Sequence, residues 1–262
     1  MSEGLTMMQK NYRSLDCAQC ADGAGLDFDF TMAFQPIVNT TLRQVFAQEA
    51  LVRGLNNESA GWIFERVNEA NRYHFDQACR VKAIQLAAEL GITSFVSINF
   101  LPHAVYRPEL CIRTTLEAAK TYGFPIERII FEIVESEKIT DYTHAREIID
   151  HFKRCGFKTA LDDFGAGYAG LNLLAEFQTD FIKLDMALIR HIDQDQRRQT
   201  IVNGIVKICH ELSIAVIGEG VETLEELNVL QAFGVELFQG YYFAKPAFRS
   251  LAQLPTEFLP PR

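Results

Sequence analysis

A chain of 262 residues with 48% apolar and 23% charged side chains has the makeup of an ordinary soluble globular protein, and its length is close to the roughly 250 residues of a single (β/α)8 barrel. A formal net charge of −9 excludes a broad surface for a nucleic-acid polymer, which needs clustered Lys and Arg, but leaves room for a small phosphorylated ligand met by divalent cations. No apolar run reaches the length of a membrane span, and the N-terminus lacks a basic segment followed by an apolar one, so no membrane contact is expected and the expected location is cytoplasmic.

Residues 1–30 show no sustained hydrophobic period and carry Gly4, Gly23 and Gly25 among small and acidic residues, which reads as an extension ahead of a domain over 31–262. Cys17 and Cys20 form a lone CxxC within it; free thiols are the simpler expectation, with a metal or redox role shared across a dimer as the alternative. Regular structure is expected to begin with a strand over 32–38, whose Pro36 argues for a sheet edge or a strand end. A turn at 39–41 leads to a second strand over 44–52. These two must be antiparallel, because a parallel crossover needs about a dozen residues or more.

From there the apolar pattern alternates between helix and strand. A long amphipathic segment over 59–90 stops at Gly91, and a strand follows at 95–100. Next come a helix at 109–122 closed by Gly123, a strand at 129–134, a helix at 143–155 closed by Gly156, and a strand at 157–161. A short helix near 169–176 precedes a strand at 181–184. A helix over 194–212 has Ile201, Ile205, Ile208 and Leu212 on one stripe and Cys209 on its apolar face. A strand at 214–217, a helix at 224–233 and a strand at 237–238 complete the order. Such alternation predicts parallel strands covered by helices, and eight strands favour a closed barrel over an open doubly wound sheet.

Every strand from the second onward ends on polar residues that core packing does not require: Glu49 and Arg53, then Asn99, Glu132 and Glu135, Asp162 and Asp163, Lys183 and Asp185, Glu219, and Gln239. In a parallel barrel the carboxyl ends of the strands form one rim, where active sites lie, so these groups are expected to converge. Asp, Glu and Asn oxygens are hard ligands suited to Mg2+, Mn2+ or Ca2+, and no His or Cys stands at these positions to recruit zinc or copper. One such carboxylate is commonly a helix cap or a solvated rim residue; seven strand ends in succession are hard to explain that way. Lys183 shares a face with Phe181 and Asp185, so its ammonium points where apolar side chains belong. Adjacent Asp162 and Asp163 would point to opposite faces of a regular strand. Joint use requires a bend there, for which Gly165 and Gly167 supply the freedom.

Together these residues resemble the EAL-domain family of bacterial cyclic di-GMP phosphodiesterases. Glu49-Ala50-Leu51 with Arg53 is similar to the motif that names the family, and Phe34-Gln35-Pro36-Ile37-Val38 to its opening. Asn99 with Pro102, Glu132 with Glu135, Asp162-Asp163-Phe164-Gly165 and Lys183-Leu184-Asp185 resemble its NxxP, ExxE, DDFG and KxD segments. Glu219 to Thr223 resembles EGVET, and Gln239-Gly240 with Pro246 the closing QGY…P.

The resemblance implies a modified (β/α)8 TIM barrel with an antiparallel first strand. It also implies a site for two Mg2+ or Mn2+ ions; Ca2+ is expected to compete and inhibit, because the larger ion prefers more ligands and looser geometry. By resemblance Glu49, Asn99, Glu132 and Asp162 hold one ion, and Asp162 bridges to a second held by Asp163 and Glu219. Lys183 would orient the attacking water, Glu219 help take its proton, and Gln239 support the site. Glu135 would anchor the loop 163–168, which in the family links the site to a dimer contact. Gln35, Arg53, Asp185 and Pro246 would contact substrate, Arg53 through a phosphate. The implied reaction opens cyclic di-GMP to linear pGpG, and the implied assembly is a homodimer. A silent member acting as a dinucleotide receptor or protein-interaction module is the alternative; that no expected ligand is missing favours the enzyme. Val134 stands where the family often has Thr, and Ala169-Gly170 where it often has Ser-Ser, neither in a ligand position.

Overall fold

A computed structural model of the chain describes residues 26–101, 111–134, 142–166 and 170–258. Cys17 and Cys20, Pro102, Glu135 and Gly167 lie outside the described residues. The strands are β1 (Thr31–Asn39), β2 (Gln44–Arg53), β3 (Phe95–Phe100), β4 (Ile129–Val134), β5 (Lys158–Phe164), β6 (Phe181–Leu184), β7 (Ala215–Gly218), β8 (Leu237–Phe238) and β9 (Ala247–Phe248). The helices are α1 (Ala60–Phe64), α2 (Arg72–Glu89), α3 (Arg113–Tyr122), α4 (Tyr142–Arg154), α5 (Gly170–Glu176), α6 (Met186–Ile189), α7 (Gln196–Glu211) and α8 (Leu224–Ala232). Strands β2 to β8 follow one another around the sheet, β1 comes next, and its pairing with β2 closes the barrel.

β1 runs antiparallel to β2, β8 and β9, and β2 through β8 are parallel throughout. All nine residues of β1 are buried, so Pro36 marks neither an edge nor an end. It is tolerated because residues 35–37 pair with β2 alone: β8 takes Val38 and Asn39, and β9 takes Ala33 and Phe34. The residue without an N–H falls where one flank of the strand carries no ladder.

Two apolar layers hold the barrel. A small cluster of Ile37, Ala47, Ile130, Ala160, Phe181, Ile217 and Leu237 fills its interior, while the larger one lies between strands and helices. Phe28 and Phe30 join the outer layer against Phe75, with ring centroids 6.0 and 5.4 Å apart.

The segment expected as one helix over 59–90 is two, α1 and α2. Asn71 Oδ1 accepts from Asn68 N at 2.7 Å, Asn71 Nδ2 donates to Arg66 O at 2.8 Å, and Asn68 Oδ1 accepts from Ala70 N at 2.9 Å. Asparagine side chains thus take over the backbone groups that a continuous helix would use. The stripe expected on α7 is also displaced. Val202, Ile205, Val206 and Cys209 face the core, whereas Ile201, Ile208 and Leu212 are 53%, 37% and 40% exposed. No helix among the described residues is long and apolar enough to cross a membrane.

Candidate functional site

The interior cluster explains where the polar strand ends must go. Side chains two residues apart on a strand share a face, so each inward apolar residue has an inward neighbour one layer nearer the carboxyl rim. Ala47 leads to Glu49, Ile130 to Glu132, Ala160 to Asp162, Phe181 to Lys183, Ile217 to Glu219 and Leu237 to Gln239. On β1 the direction is reversed, so the rim residue is Gln35, before Ile37 and opposite Glu49. Asn99 enters from β3 opposite Glu132.

Lys183 stands at the centre of this ring with its side chain 1% exposed. Its Nζ lies 2.7 Å from Glu219 Oε1, 2.9 Å from Glu132 Oε2, 3.0 Å from Asp162 Oδ1 and 3.5 Å from Glu49 Oε2. Amide and hydroxyl donors complete the shell. Asn99 Nδ2 donates to Glu49 Oε1 at 3.0 Å, Gln239 Nε2 to Glu49 Oε2 at 2.6 Å and Gln35 Oε1 at 3.2 Å, and Ser97 Oγ to Glu132 Oε1 at 2.6 Å. Gln35 Nε2 in turn donates to Ala244 O at 3.1 Å.

Asp162 and Asp163 reach one site because β5 bulges. Its register against β6 slips between Leu161 and Phe164, and Asp163 itself takes a left-handed φ of +54°. The extra residue turns the second carboxylate back towards the first. The strand therefore continues through both acids and ends at Phe164, not at Leu161. The bend lies on Asp163, with Gly165 at φ +99° two residues after it. Oxygens of Asp162, Asp163 and Glu219 lie within 4.8 Å of one another.

The electrostatics are those of a site short of positive charge. Burial opposes the Lys183 ammonium, but Asp162, Glu132, Glu219 and Glu49 outweigh it and hold the lysine protonated well above its ordinary range. Burial also raises Glu49, but Lys183 and the donors Gln239 and Asn99 bring it below the ordinary carboxylate value. Glu132 and Glu219 are pushed well up, first by burial and then by their acidic neighbours. Asp163 is raised to about 6 by burial and by repulsion from Asp162 and Asp185.

Five carboxylates facing one ammonium leave four negative charges uncompensated when all are ionised, a deficit that two divalent cations would neutralise. Asp162 Oδ1 accepts no directed hydrogen bond despite its ionic contact with Lys183, so it keeps lone pairs for a cation. Gln239 Oε1 is likewise buried without a donor among the described residues. The oxygen-rich donor set fits a hard divalent cation.

A cleft of about 560 Å3 opens from Glu49, Asn99, Asp162 and Asp163 towards α1 and α2, where Phe64, Arg72 and Asp76 line it. Other predicted residues have local partners. Arg53 ends β2, and its Nη1 donates to Val52 O at 2.7 Å. Asp185 caps α6 by accepting from Ala187 N at 2.7 Å and does not pair with Lys183. Pro246 directly precedes β9. Glu135 lies outside the described residues. Ser97, which holds Glu132, was not anticipated, although its position two residues before Asn99 on the same face signals it.

The family model of the EAL domain matches residues 25–246. The chain is 34% identical over 224 residues to the blue light- and temperature-regulated antirepressor BluF of Escherichia coli, covering 85% of this chain and 55% of that protein. It is 30% identical to the probable cyclic di-GMP phosphodiesterase PdeD of the same organism, covering 83% and 42%. Among solved structures, a standalone versatile EAL protein from Vibrio cholerae with c-di-GMP bound is 61% identical with a TM-score of 0.87, covering 89% of this chain and 99% of that one. Klebsiella pneumoniae BlrP1 in a manganese/cy-diGMP complex is 36% identical with a TM-score of 0.80, covering 84% and 56%. The chain spans about half of the length of these two curated relatives, 55% of BluF and 42% of PdeD.

Proposed function

Because the chain belongs to the EAL domain family, we propose that it is a phosphodiesterase that opens cyclic di-GMP to linear pGpG at a two-metal site and so lowers the level of that messenger. The carrying observation is the ring of five carboxylates from four strands around one buried lysine. The c-di-GMP bound to the Vibrio protein and the manganese in the BlrP1 complex support the substrate class and the need for metal.

Glu49, Asn99, Glu132 and Asp162 would hold one Mg2+ or Mn2+, and Asp162, Asp163 and Glu219 the other. Two such ions supply a water acidic enough to ionise near neutral pH and offset charge on the entering and leaving oxygens. The residues do the rest. Protonated Lys183 favours the ionised form of a water beside it. Glu219, 2.7 Å from Lys183 Nζ, is assigned to help take the proton of that water. Gln239 fixes the orientation of Glu49. Gln35, Arg53, Asp185 and Pro246 are assigned to substrate and Glu135 to the loop over 163–168. Residues 1–30 are assigned as an N-terminal extension, whose Phe28 and Phe30 pack on the outer layer of the barrel, the assembly as a homodimer and the location as the cytoplasm.

The test is release of pGpG from cyclic di-GMP with Mg2+ or Mn2+ by the wild type and by Glu49→Ala. Turnover that the substitution abolishes supports the proposal. A second reading, a receptor that binds the dinucleotide and signals through a partner, is favoured by the likeness to an antirepressor. Tight binding with no turnover under either metal would select it.

A further inference from the structure

A second buried ionic group lies outside the ring of strand ends. Arg80 and Asp76, one turn apart on α2, pair at 2.7 Å with side chains 0% and 1% exposed. Such a pair is tolerated only when its remaining donors and acceptors are filled. Here the fragments flanking residues 102–110 fill them. Asp76 Oδ1 accepts from Leu101 N at 3.1 Å, and Arg80 Nη1 donates to Cys111 O at 3.2 Å and Thr115 Oγ1 at 3.1 Å. Gln77 Nε2 adds a bond to Cys111 O at 3.0 Å.

One helix face therefore grips the chain at Leu101, two residues beyond Asn99, and again at Cys111. Asn99 gives its amide nitrogen to Glu49 and presents its oxygen as the atom available to a cation. Asp76 and Asn99 line the same cleft. We propose that Asp76 and Arg80 are positioning residues for the metal centre: by fixing the backbone at Leu101 they set how far Asn99 reaches into the ring, and so raise divalent-cation affinity without touching the ion. This rests on Asn99 serving as a ligand, as proposed above.

The experiment compares wild type, Asp76→Asn, the double variant Asp76→Leu/Arg80→Met and Asn99→Ala by Mn2+ titration of substrate-free protein, followed by electron paramagnetic resonance, with thermal melts alongside. Removing both charges together leaves no unpaired buried ion, so the double variant is expected to fold. It should bind Mn2+ about 10- to 100-fold more weakly, the usual effect of losing a group that orients a ligand. Adding Asn99→Ala to it should weaken binding no further than Asn99→Ala alone, because the pair acts through that side chain. Wild-type Mn2+ affinity in the folded double variant would overturn the proposal, as would full additivity with Asn99→Ala. Should the double variant not fold, unchanged affinity in Asp76→Asn overturns it and weakened affinity at an unchanged melting temperature upholds it. The titration needs no substrate, so a wild type that binds Mn2+ but fails to hydrolyse cyclic di-GMP removes the hydrolase assignment alone.

Discussion

Lys183 Nζ stands 2.7 Å from Glu219 Oε1 in the interior of the barrel, so a protein cation already occupies the centre of the acidic ring. Its replacement by alanine should separate two roles. The ring becomes more negative, so Mn2+ affinity should hold or rise, while the metal-free protein should melt at a lower temperature because four buried carboxylates lose their counter-charge. Turnover at saturating Mn2+ should drop about 10²- to 10⁴-fold, the range for a group that assists proton transfer. Wild-type kcat in Lys183→Ala would remove the lysine from the reaction.

The raised pKa of Asp163 fixes a pH dependence with a definite sign. Its carboxyl titrates near 6 in the metal-free fold against an ordinary value of 3.8. The native state thus holds this proton more tightly than the unfolded chain, and the stability it contributes is full below about 3.8 and lost as pH rises through about 6. A cation needs the ionised form and works in the opposite direction. The rise in melting temperature caused by Mn2+ should be large at pH 8 and shrink below pH 6. A metal-induced shift that stays constant from pH 5 to 8 would contradict this.

Calcium should occupy the site and inhibit. It prefers six to eight oxygens at longer and looser distances than Mg2+, so the spacing of the entering and leaving oxygens would be lost. Adding millimolar Ca2+ to the Mg2+-dependent assay should lower the rate, and more Mg2+ should restore it; undiminished turnover in saturating Ca2+ would count against two closely spaced ions.

Ser97 Oγ donates to Glu132 Oε1 at 2.6 Å and, after the larger effect of Lys183, opposes the upward push on that buried acid. Ser97→Ala should raise the pKa of Glu132 further and weaken Mn2+ binding about 10- to 100-fold. The loss should be greatest at low pH, where proton and metal compete for the same oxygen. Equal loss at pH 6 and pH 8 would mean that Ser97 acts by packing alone.

The ring was legible because two physical rules act on short sequences: the two-residue period of a strand and the placement of parallel strand ends on one rim. They suffice for Glu49, Asn99, Glu132, Asp162, Lys183, Glu219 and Gln239 to meet, and they would have sufficed for Ser97. The same period hides Asp163, since it sends neighbours to opposite faces; which residue of a bulge turns left-handed is decided by the register with β6. The buried arc of α7 was misjudged for a related reason. Ile201, Ile208 and Leu212 fit a helical stripe as well as Val202, Val206 and Cys209 do, and only packing on the barrel chooses between them. Asp76 and Arg80 left a fainter signal, an acid and a base at helical spacing among apolar residues.

The backbone at Asp163 yields a prediction in which fold and function part company. At φ +54° an asparagine is tolerated, because Asn and Asp visit the left-handed region most readily among residues with a Cβ, whereas a β-branched side chain there is strained. Asp163→Asn should therefore melt close to the wild type but bind the second Mn2+ weakly and lose most turnover, since an amide oxygen replaces a carboxylate. Asp163→Val should lose the same turnover and also about 1–2 kcal/mol of stability. Chemical denaturation of the metal-free variants measures the second effect, and Mn2+ stoichiometry the first. Equal stability of the two variants would mean that the bulge relaxes on substitution, and full turnover in Asp163→Asn would remove this residue from the metal site.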